Sequence, residues 1–192
     1  MLPLLLASSS VYRRELLARL RLPFICASPD IDESHHQGES AVELVKRLAE
    51  QKARALAERH PDHLIIGSDQ VAVLGERIIG KPHTFEKARE QLLAASGASV
   101  TFLTGLALLN SQTDTCQVDC VPFTVHMRPL DAATIERYLR AEQPYDCAGS
   151  FKAEGLGVTL FQRTEGPDAT SLVGLPLIRL VDMLLIEGIQ AP

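Results

Sequence analysis

Two apolar segments of the chain are separated only by Gly75-Glu76, and this spacing constrains the fold more than any other short feature. Residues 63–74 before the dipeptide and residues 77–80 after it are rich in Val, Ile and Leu. Such segments joined by a two-residue, glycine-containing turn predict an antiparallel hairpin. Elsewhere the chain alternates strand patterns with helical patterns, which is typical of an α/β protein. The sequence therefore predicts an α/β fold with a mixed sheet.

Hydrophobic periodicity predicts the remaining elements. Helices are expected over residues 10–21, 40–59, 84–95, 131–140 and 175–186. Strands are expected over residues 2–7, 23–28, 63–74, 77–80, 99–109, 116–128 and 156–162. Polar loops are expected over residues 30–39 and 142–154 and again after residue 162. Ser40 followed by Glu43 is a capping-box pattern that predicts the start of the second helix. No repeat or linker interrupts the 192 residues, so a single domain over residues 1–192 is expected.

Composition and charge exclude several functional classes. Hydrophobic residues make up 46% of the chain and charged residues 22%, as in an ordinary globular protein. The net charge of -5 predicts neither a nucleic-acid partner nor an anionic membrane partner. No apolar run reaches membrane-spanning length, and the first residues lack the features of a signal peptide. The four cysteines (Cys26, Cys116, Cys120 and Cys147) lack zinc-site spacing, which predicts free thiols and a cytoplasmic location.

The segment Ser8-Ser9-Ser10-Val11-Tyr12-Arg13-Arg14 lies where a predicted strand gives way to a predicted helix. Any of the serines can cap the helix, since a hydroxyl accepts a hydrogen bond from an N–H group of the first turn. One cap needs one serine, however, and three hydroxyls with Arg13 and Arg14 also form an anion site at a helix N-terminus. A capped helix with a solvated basic turn and a phosphate site are equally compatible with these residues.

Asp69 lies inside the otherwise apolar segment HLIIGSDQVAVL. A carboxylate there is costly unless it is paired, hydrogen-bonded or bound to a metal. Extending the hairpin register from Gly75-Glu76 places Asp69 opposite Pro82 and beside Lys81. A structural ion pair at the base of the hairpin is the simplest explanation of these two residues taken alone, and a functional site is the alternative.

Lys52 occupies a position of the second helix where the apolar stripe predicts a hydrophobic side chain. The lysine either lies at the edge of the stripe with its head in water, or directs its ammonium into a cleft. Arg47, Lys46 and Glu50 are assigned to the solvated face. In the preceding loop, Glu33 is a further candidate for holding a divalent metal together with Asp69. Basic residues gathered around such a metal suit phosphate chemistry.

Six segments, in order along nearly the whole chain, resemble the Maf family of nucleoside triphosphate pyrophosphatases. They are ASSSVYRRELL, IIGSDQVAVL, GKP, SGASVTFLTGLAL, AGSFKAEGLG and VGLPL. The resemblance implies a mixed α/β fold with two lobes around a central cleft, like that of inosine triphosphatases. It also implies hydrolysis of a nucleoside triphosphate to the monophosphate and pyrophosphate with a divalent cation (Mg²⁺, Mn²⁺ or Co²⁺), and it allows a homodimer.

The resemblance also implies roles for individual residues. Asp69 would be the proton acceptor and, with Glu33, a metal ligand. The other catalytic and substrate-binding residues would be Lys52, Lys81, Ser8, Arg13 and Arg14, which would hold the triphosphate. The late loop TEGPDATSLVGLPL departs from the commoner family pattern and receives no catalytic residue.

Tyr12, Gln70 and Glu154 replace the residues most common in the family and resemble its subgroup that acts on 7-methyl-GTP. Guanine presents N1–H and the 2-amino group, and the carboxylate of Glu154 can accept from both. Methylation at N7 makes the base cationic, which favours an aromatic face such as Tyr12. The alternatives are a pyrophosphatase for dTTP and UTP, and a nucleotide-binding regulator of cell division without turnover.

Overall fold

The computed structural model describes residues 1–191 and forms a mixed α/β fold, as the sequence predicts. The strands are β1 (Leu4–Ala7), β2 (Phe24–Ala27), β3 (Leu64–Leu74), β4 (Arg77–Ile79), β5 (Ser99–Asn110), β6 (Thr115–Met127) and β7 (Phe161–Glu165). The helices are α1 (Val11–Ala18), α2 (Ala41–Arg54), α3 (Phe85–Ala95), α4 (Ala132–Glu142), α5 (Ala169–Val173) and α6 (Leu177–Ile186). Short 3₁₀ helices span Ala148–Ser150 and Leu156–Leu160.

The strands form one sheet in the order β2-β1-β3-β5-β6-β7, with β4 paired to β3. The pairs of β1 with β2 and with β3 are parallel, whereas the pairs β3–β4 and β6–β7 are antiparallel. The hairpin at Gly75-Glu76 has the predicted register, since Ala72 lies opposite Ile79 and Leu74 lies opposite Arg77. The mixed sheet inferred from this hairpin is therefore confirmed.

The chain divides into two compact units, each made of several segments. The first unit comprises residues 1–70, residues 104–121 and the C-terminal segment from Asp168, and the second comprises Val71–Leu103 and Pro122–Pro167. The prediction of one two-lobed domain over the whole chain stays a prediction. Among residues 1–191, no helix has the length and apolar character needed to cross a bilayer.

The first unit has apolar cores on both faces of β1. Leu4 and Leu6 belong to one cluster with α1, α6 and parts of β3 and β5, while Leu5 and Ala7 belong to another with the end of α2. Alternate residues of a strand point to opposite faces, so a strand covered on both sides is apolar throughout. This explains why residues 4–7 form an uninterrupted apolar run.

The second unit is built around three aromatic rings in edge-to-face contact and the paired helices α3 and α4. Phe151 packs edge-to-face against Phe102 and Phe161, with ring centroids 5.2 Å and 5.0 Å apart. Such arrangements contribute stabilisation beyond the apolar area that they bury. They hold the segment after α4 against strands β5 and β7.

Several predicted boundaries are wrong. The expected strand 156–162 is a 3₁₀ helix up to Leu160, because the chain folds back over Lys152 at Gly157; a Cβ on Gly157 would lie 2.3 Å from the Lys152 carbonyl oxygen. The predicted helix 40–59 ends at Arg54, and the chain continues to His60 as hydrogen-bonded turns whose partners are three or four residues apart. The predicted polar loop after residue 162 contains α5, and α6 begins after Pro176.

Candidate active site

Helix α2 presents Lys52 from its buried side. The helix begins with the predicted capping box, in which the hydroxyl of Ser40 accepts from the Glu43 N–H at 3.2 Å and Glu43 accepts from the Ser40 N–H at 2.8 Å. The helix lies very close to the sheet at Gly67, where an added Cβ would be 2.0 Å from the carbonyl oxygen of Ala49. The helix start and this close approach fix where Lys52 emerges.

The ammonium of Lys52 lies between two carboxylates. Its Nζ donates to Asp69 Oδ1 at 2.7 Å and lies 2.9 Å from Glu33 Oε1. The side chains of Lys52 and Asp69 are 8% and 12% exposed, so this ion pair is largely removed from water. The alternative that places the head of Lys52 in water is therefore wrong. The buried carboxylate of Asp69 is paired, as its position in an apolar strand requires.

The partner that pairs with Asp69 is Lys52, whereas the hairpin register was extended to predict Lys81. Strand β4 ends at Ile79, so the ladder that supported this extension stops before Lys81. Lys81 itself is exposed and belongs to the second unit. A position of Lys81 beside Asp69 stays a prediction.

The loop that carries Glu33 is held to α2 by Arg47. Its guanidinium donates to both carboxylate oxygens of Glu39, at 2.5 Å and 2.8 Å, and to the carbonyl oxygen of Ser34 at 2.9 Å. The side chain of Arg47, which was assigned to the solvated face, is partly buried at 18% exposure and is held by these contacts. This arginine and Lys52 lie on one helix, which therefore presents the ammonium and also fixes the loop beside it.

The junction between β1 and α1 combines a helix cap with a partly buried arginine contact. Ser10 caps α1, since its hydroxyl accepts from the Arg13 N–H at 3.4 Å, while the buried Ser8 accepts from the Ser10 N–H at 3.1 Å. The Nε of Arg13 donates to the carbonyl oxygen of Gly174 at 2.8 Å. Arg14 is exposed on the first turn.

The guanidinium of Arg13 interacts electrostatically with the carboxylates of Asp69 and Glu33. Burial lowers the pKa of its guanidinium below the usual value, while the carboxylates of Asp69 and Glu33 act in the opposite direction. The guanidinium of an arginine nevertheless remains charged in a protein. The structure thus brings Arg13, Lys52, Asp69 and Glu33 into one electrostatic neighbourhood of the first unit.

A backbone carbonyl of the late loop positions Arg13 and the strand that carries Asp69. The sequence did not predict this contact. Ser68 also donates to the carbonyl oxygen of Gly174, at 3.0 Å, so this carbonyl anchors both Arg13 and the strand that carries Asp69. The buried Asp168 accepts from the N–H groups of Thr170 and Ile178, at 2.8 Å and 2.9 Å, and so caps α5 and α6 together. The sequence predicted no helix here, although an aspartate directly before a helix is a common cap and is the signal that could have indicated one.

The three predicted specificity residues differ in their surroundings. The amide nitrogen of Gln70 donates to the hydroxyl of Thr104 at 3.0 Å and to the carbonyl oxygens of Ser171 and Leu172 at 2.7 Å and 3.2 Å. Tyr12 is 37% exposed on α1. Glu154 is exposed within the second unit. Of these side chains, Gln70 thus contacts the backbone of α5.

Asp69 and Glu33 suit a metal that also takes oxygen ligands from a substrate. Within residues 1–191, no group of three or more His, Cys, Asp or Glu side chains has the geometry to hold a metal. Mg²⁺ bound by one or two carboxylates completes its shell with phosphate oxygens and water. The two carboxylates that converge on Lys52 could serve as the protein ligands of such a shell.

Comparison with known proteins identifies the class. The family model described as "Maf-like protein" matches residues 3–186, so the chain belongs to the Maf family.

Relatives within this family carry a more particular name. A protein of Pseudomonas fluorescens strain Pf0-1 named "7-methyl-GTP pyrophosphatase" is 86% identical over 192 residues, covering all of both chains. One of strain Pf-5 with the same name is 84% identical over 192 residues, again covering both chains fully. One of Alcanivorax borkumensis, also so named, is 59% identical over 189 residues, covering 98% of this chain and 96% of its own.

Proposed function

We propose that this protein is a nucleoside triphosphate pyrophosphatase that acts on 7-methyl-GTP or a related modified nucleotide in the cytoplasm. It hydrolyses the triphosphate to the nucleoside monophosphate and pyrophosphate. Family membership and the names of full-length relatives at 59% to 86% identity support this activity and this substrate.

The observation that carries the proposed mechanism is the buried contact of Lys52 with Asp69, with Glu33 on the other side of the ammonium. The negative charge of a triphosphate repels a carboxylate, so Asp69 does not favour substrate binding by itself. Its presence among the cations therefore supports a catalytic role. Asp69 takes the proton of the water that attacks the α-phosphorus. Lys52 stabilises the charge that develops on the phosphate oxygens and the leaving pyrophosphate.

The remaining cations bind the triphosphate. Arg13 is held by the carbonyl oxygen of Gly174 through Nε, so its terminal nitrogens are oriented before a phosphate binds. Ser8 and Arg14 contribute from the start of α1, and Lys81 contributes from the segment after β4. A divalent metal, Mg²⁺, Mn²⁺ or Co²⁺, would be held by Asp69 and Glu33 and would supply charge neutralisation and an activated water.

Base selection belongs to Tyr12, Gln70 and Glu154. Glu154 accepts from N1–H and the 2-amino group of guanine, and the aromatic ring of Tyr12 favours the cationic, N7-methylated base. Gln70 acts through the backbone of α5, to which its amide is bound.

The test is pyrophosphate release from a nucleotide panel with Mg²⁺, Mn²⁺ and Co²⁺, on the wild type and on Asp69→Asn. We expect wild-type preference for 7-methyl-GTP over GTP, dTTP and UTP. We expect Asp69→Asn to lose at least about 100-fold in kcat, the usual range for a general base. Triphosphate affinity should stay equal or rise, because a repelling charge is removed.

Asp182→Asn is the matched control, since Asp182 is an exposed aspartate of α6. It should keep wild-type turnover. Activity retained by Asp69→Asn would contradict the assignment of the base, and a preference for UTP or dTTP would contradict the substrate. Binding without any turnover would identify a regulator instead.

A further inference from the structure

The turn that carries Glu154 is closed by two hydrogen bonds to one carbonyl oxygen. The N–H groups of Gly155 and Gly157 both donate to the carbonyl oxygen of Lys152, at 3.2 Å and 3.0 Å. Gly157 is required for this closure, because a Cβ there would lie 2.3 Å from the same oxygen. The exposed Glu154 therefore projects from a compact turn rather than from an extended loop.

Two side chains of α4 bind this turn on either side of Glu154. The hydroxyl oxygen of Tyr138 accepts from the Lys152 N–H at 2.9 Å, and Glu142 Oε2 accepts from the Leu156 N–H at 2.7 Å. Tyr138 and Glu142 are four residues apart and so lie on the same face of the helix. Each bound amide is two residues from Glu154, one before it and one after it.

The carboxylate of Glu142 also fills the space beside the turn. A Cβ on Gly155 would lie 2.6 Å from Glu142 Oε1, so the backbone and the carboxylate are in direct contact at this glycine. The side chain of Glu142 is only 13% exposed, although it is the last residue of α4. Negative charge at a helix C-terminus is unfavourable. The hydrogen bond from the Leu156 N–H to Glu142 compensates for this unfavourable placement.

We propose that Tyr138 and Glu142 are positioning residues that hold Glu154 for base discrimination; the inference rests on the proposed function. Recognition of guanine through N1–H and the 2-amino group requires both carboxylate oxygens at hydrogen-bond distance together. If the turn holds the Glu154 carboxylate in the binding position in only a fraction of the molecules, the apparent affinity for the base is reduced to that fraction of its full value. Tyr138 and Glu142 therefore affect the preference for 7-methyl-GTP and not the hydrolytic step.

The experiment compares kcat/KM for 7-methyl-GTP and for UTP in Tyr138→Phe and Glu142→Ala. Each variant removes one acceptor from the turn. We expect the ratio of the two kcat/KM values to fall about threefold to tenfold, the effect of losing one partly buried hydrogen bond. Activity on UTP should change little. Glu142→Gln keeps an oxygen acceptor for the Leu156 N–H and should keep most of the ratio.

Glu136→Ala is the matched control, because Glu136 lies on the same helix and its ion pair with Arg89 at 3.0 Å does not involve the turn. Its ratio should equal that of the wild type. Amide hydrogen exchange of residues 152–156 gives a readout independent of activity, and it should be faster in Tyr138→Phe and in Glu142→Ala than in the control.

A second comparison uses Glu154→Gln as the background. If Tyr138 and Glu142 act through Glu154, adding either substitution to this variant lowers the ratio no further. A wild-type ratio in both single variants, or a full additional loss in the Glu154→Gln background, would overturn the positioning role. A wild-type protein that shows no preference for 7-methyl-GTP would instead overturn the proposed substrate.

Discussion

At the scale of single residues, the ammonium of Lys52 is the group around which the candidate site is arranged. Its two carboxylate partners differ, since the side chain of Asp69 is 12% exposed and that of Glu33 is 59% exposed. Breaking a buried pair leaves an uncompensated charge, whereas an exposed partner is released at little cost. Glu33 can therefore exchange partners more easily than Asp69 can, which suits a ligand that joins when the substrate binds.

The carboxylate of Glu39 gives a prediction for pH dependence. The hydrogen bonds from Arg47 lower its pKa from 4.5 to about 2. Between these values the unfolded chain binds more protons than the folded protein, so folding stability falls as the pH falls. The contribution of Glu39 is fully present above about pH 4.5 and is lost as the pH approaches 2. Urea unfolding at several pH values measures this slope.

Glu39→Gln should have a shallower slope than the wild type between pH 4.5 and pH 2 and the same slope at higher pH. Glu58→Gln serves as control, because Glu58 is an exposed carboxylate after α2. Equal slopes for Glu39→Gln and the wild type would show that Arg47 does not stabilise the ionised carboxylate.

The sequence drew attention to Lys52 and Asp69 because each is a charge in an apolar pattern, but it did not predict that they pair with each other. Such a charge needs a partner, and the pattern itself reveals its burial. It did not predict Arg47, whose partners lie in a loop without periodicity. The role of the Gly174 carbonyl was also hidden, since a backbone acceptor is present at every residue and only the fold selects one.

At the scale of elements, the position of α2 against the sheet depends on two glycines. A Cβ on Gly67 would lie 2.0 Å from the carbonyl oxygen of Ala49, and one on Gly105 would lie 2.0 Å from that of Val45. Both contacts are with helix backbone, which cannot move aside as a flexible side chain can. The helix therefore packs at a distance that only glycine permits.

Gly67→Ala should destabilise the protein by about 2 kcal/mol or more, because the added methyl group overlaps backbone atoms of α2. The variant should also lose activity, since α2 carries Lys52 three residues after Ala49. Urea denaturation and nucleotide turnover measure the two effects. Gly80→Ala is the control for stability, as no atom lies within 4 Å of its added Cβ. Equal unfolding midpoints for the two variants would contradict the close packing.

Elements with explicit local signals were predicted well. The capping box at Ser40 set the start of α2 within one residue, and the Gly75-Glu76 turn set the register of its hairpin. The segment Leu156–Leu160 was predicted as a strand because its composition is apolar. Its conformation is decided by contacts with α4 and Lys152, and such contacts leave no periodic signal in a short segment.

At the scale of the whole molecule, neither compact unit is a continuous piece of the chain. Strands β3, β5 and β6 each contribute residues to both units. A domain that folds independently usually has boundaries in exposed linkers where few contacts cross. Here the boundaries fall at residues 70–71, 103–104, 121–122 and 167–168, and three of the four lie inside strands.

We therefore expect the chain to unfold in a single cooperative transition. Unfolding one unit would break strands that the other unit shares, so a state with one unit folded would lose part of the remaining ladder. Scanning calorimetry should give a calorimetric enthalpy equal to the van't Hoff enthalpy, and circular dichroism and the fluorescence of the three tyrosines should give the same midpoint. Gly67→Ala should lower the midpoint of the whole transition, although Gly67 belongs to the first unit. Two separate transitions, with only one shifted by this variant, would contradict a single domain and would assign each unit its own stability.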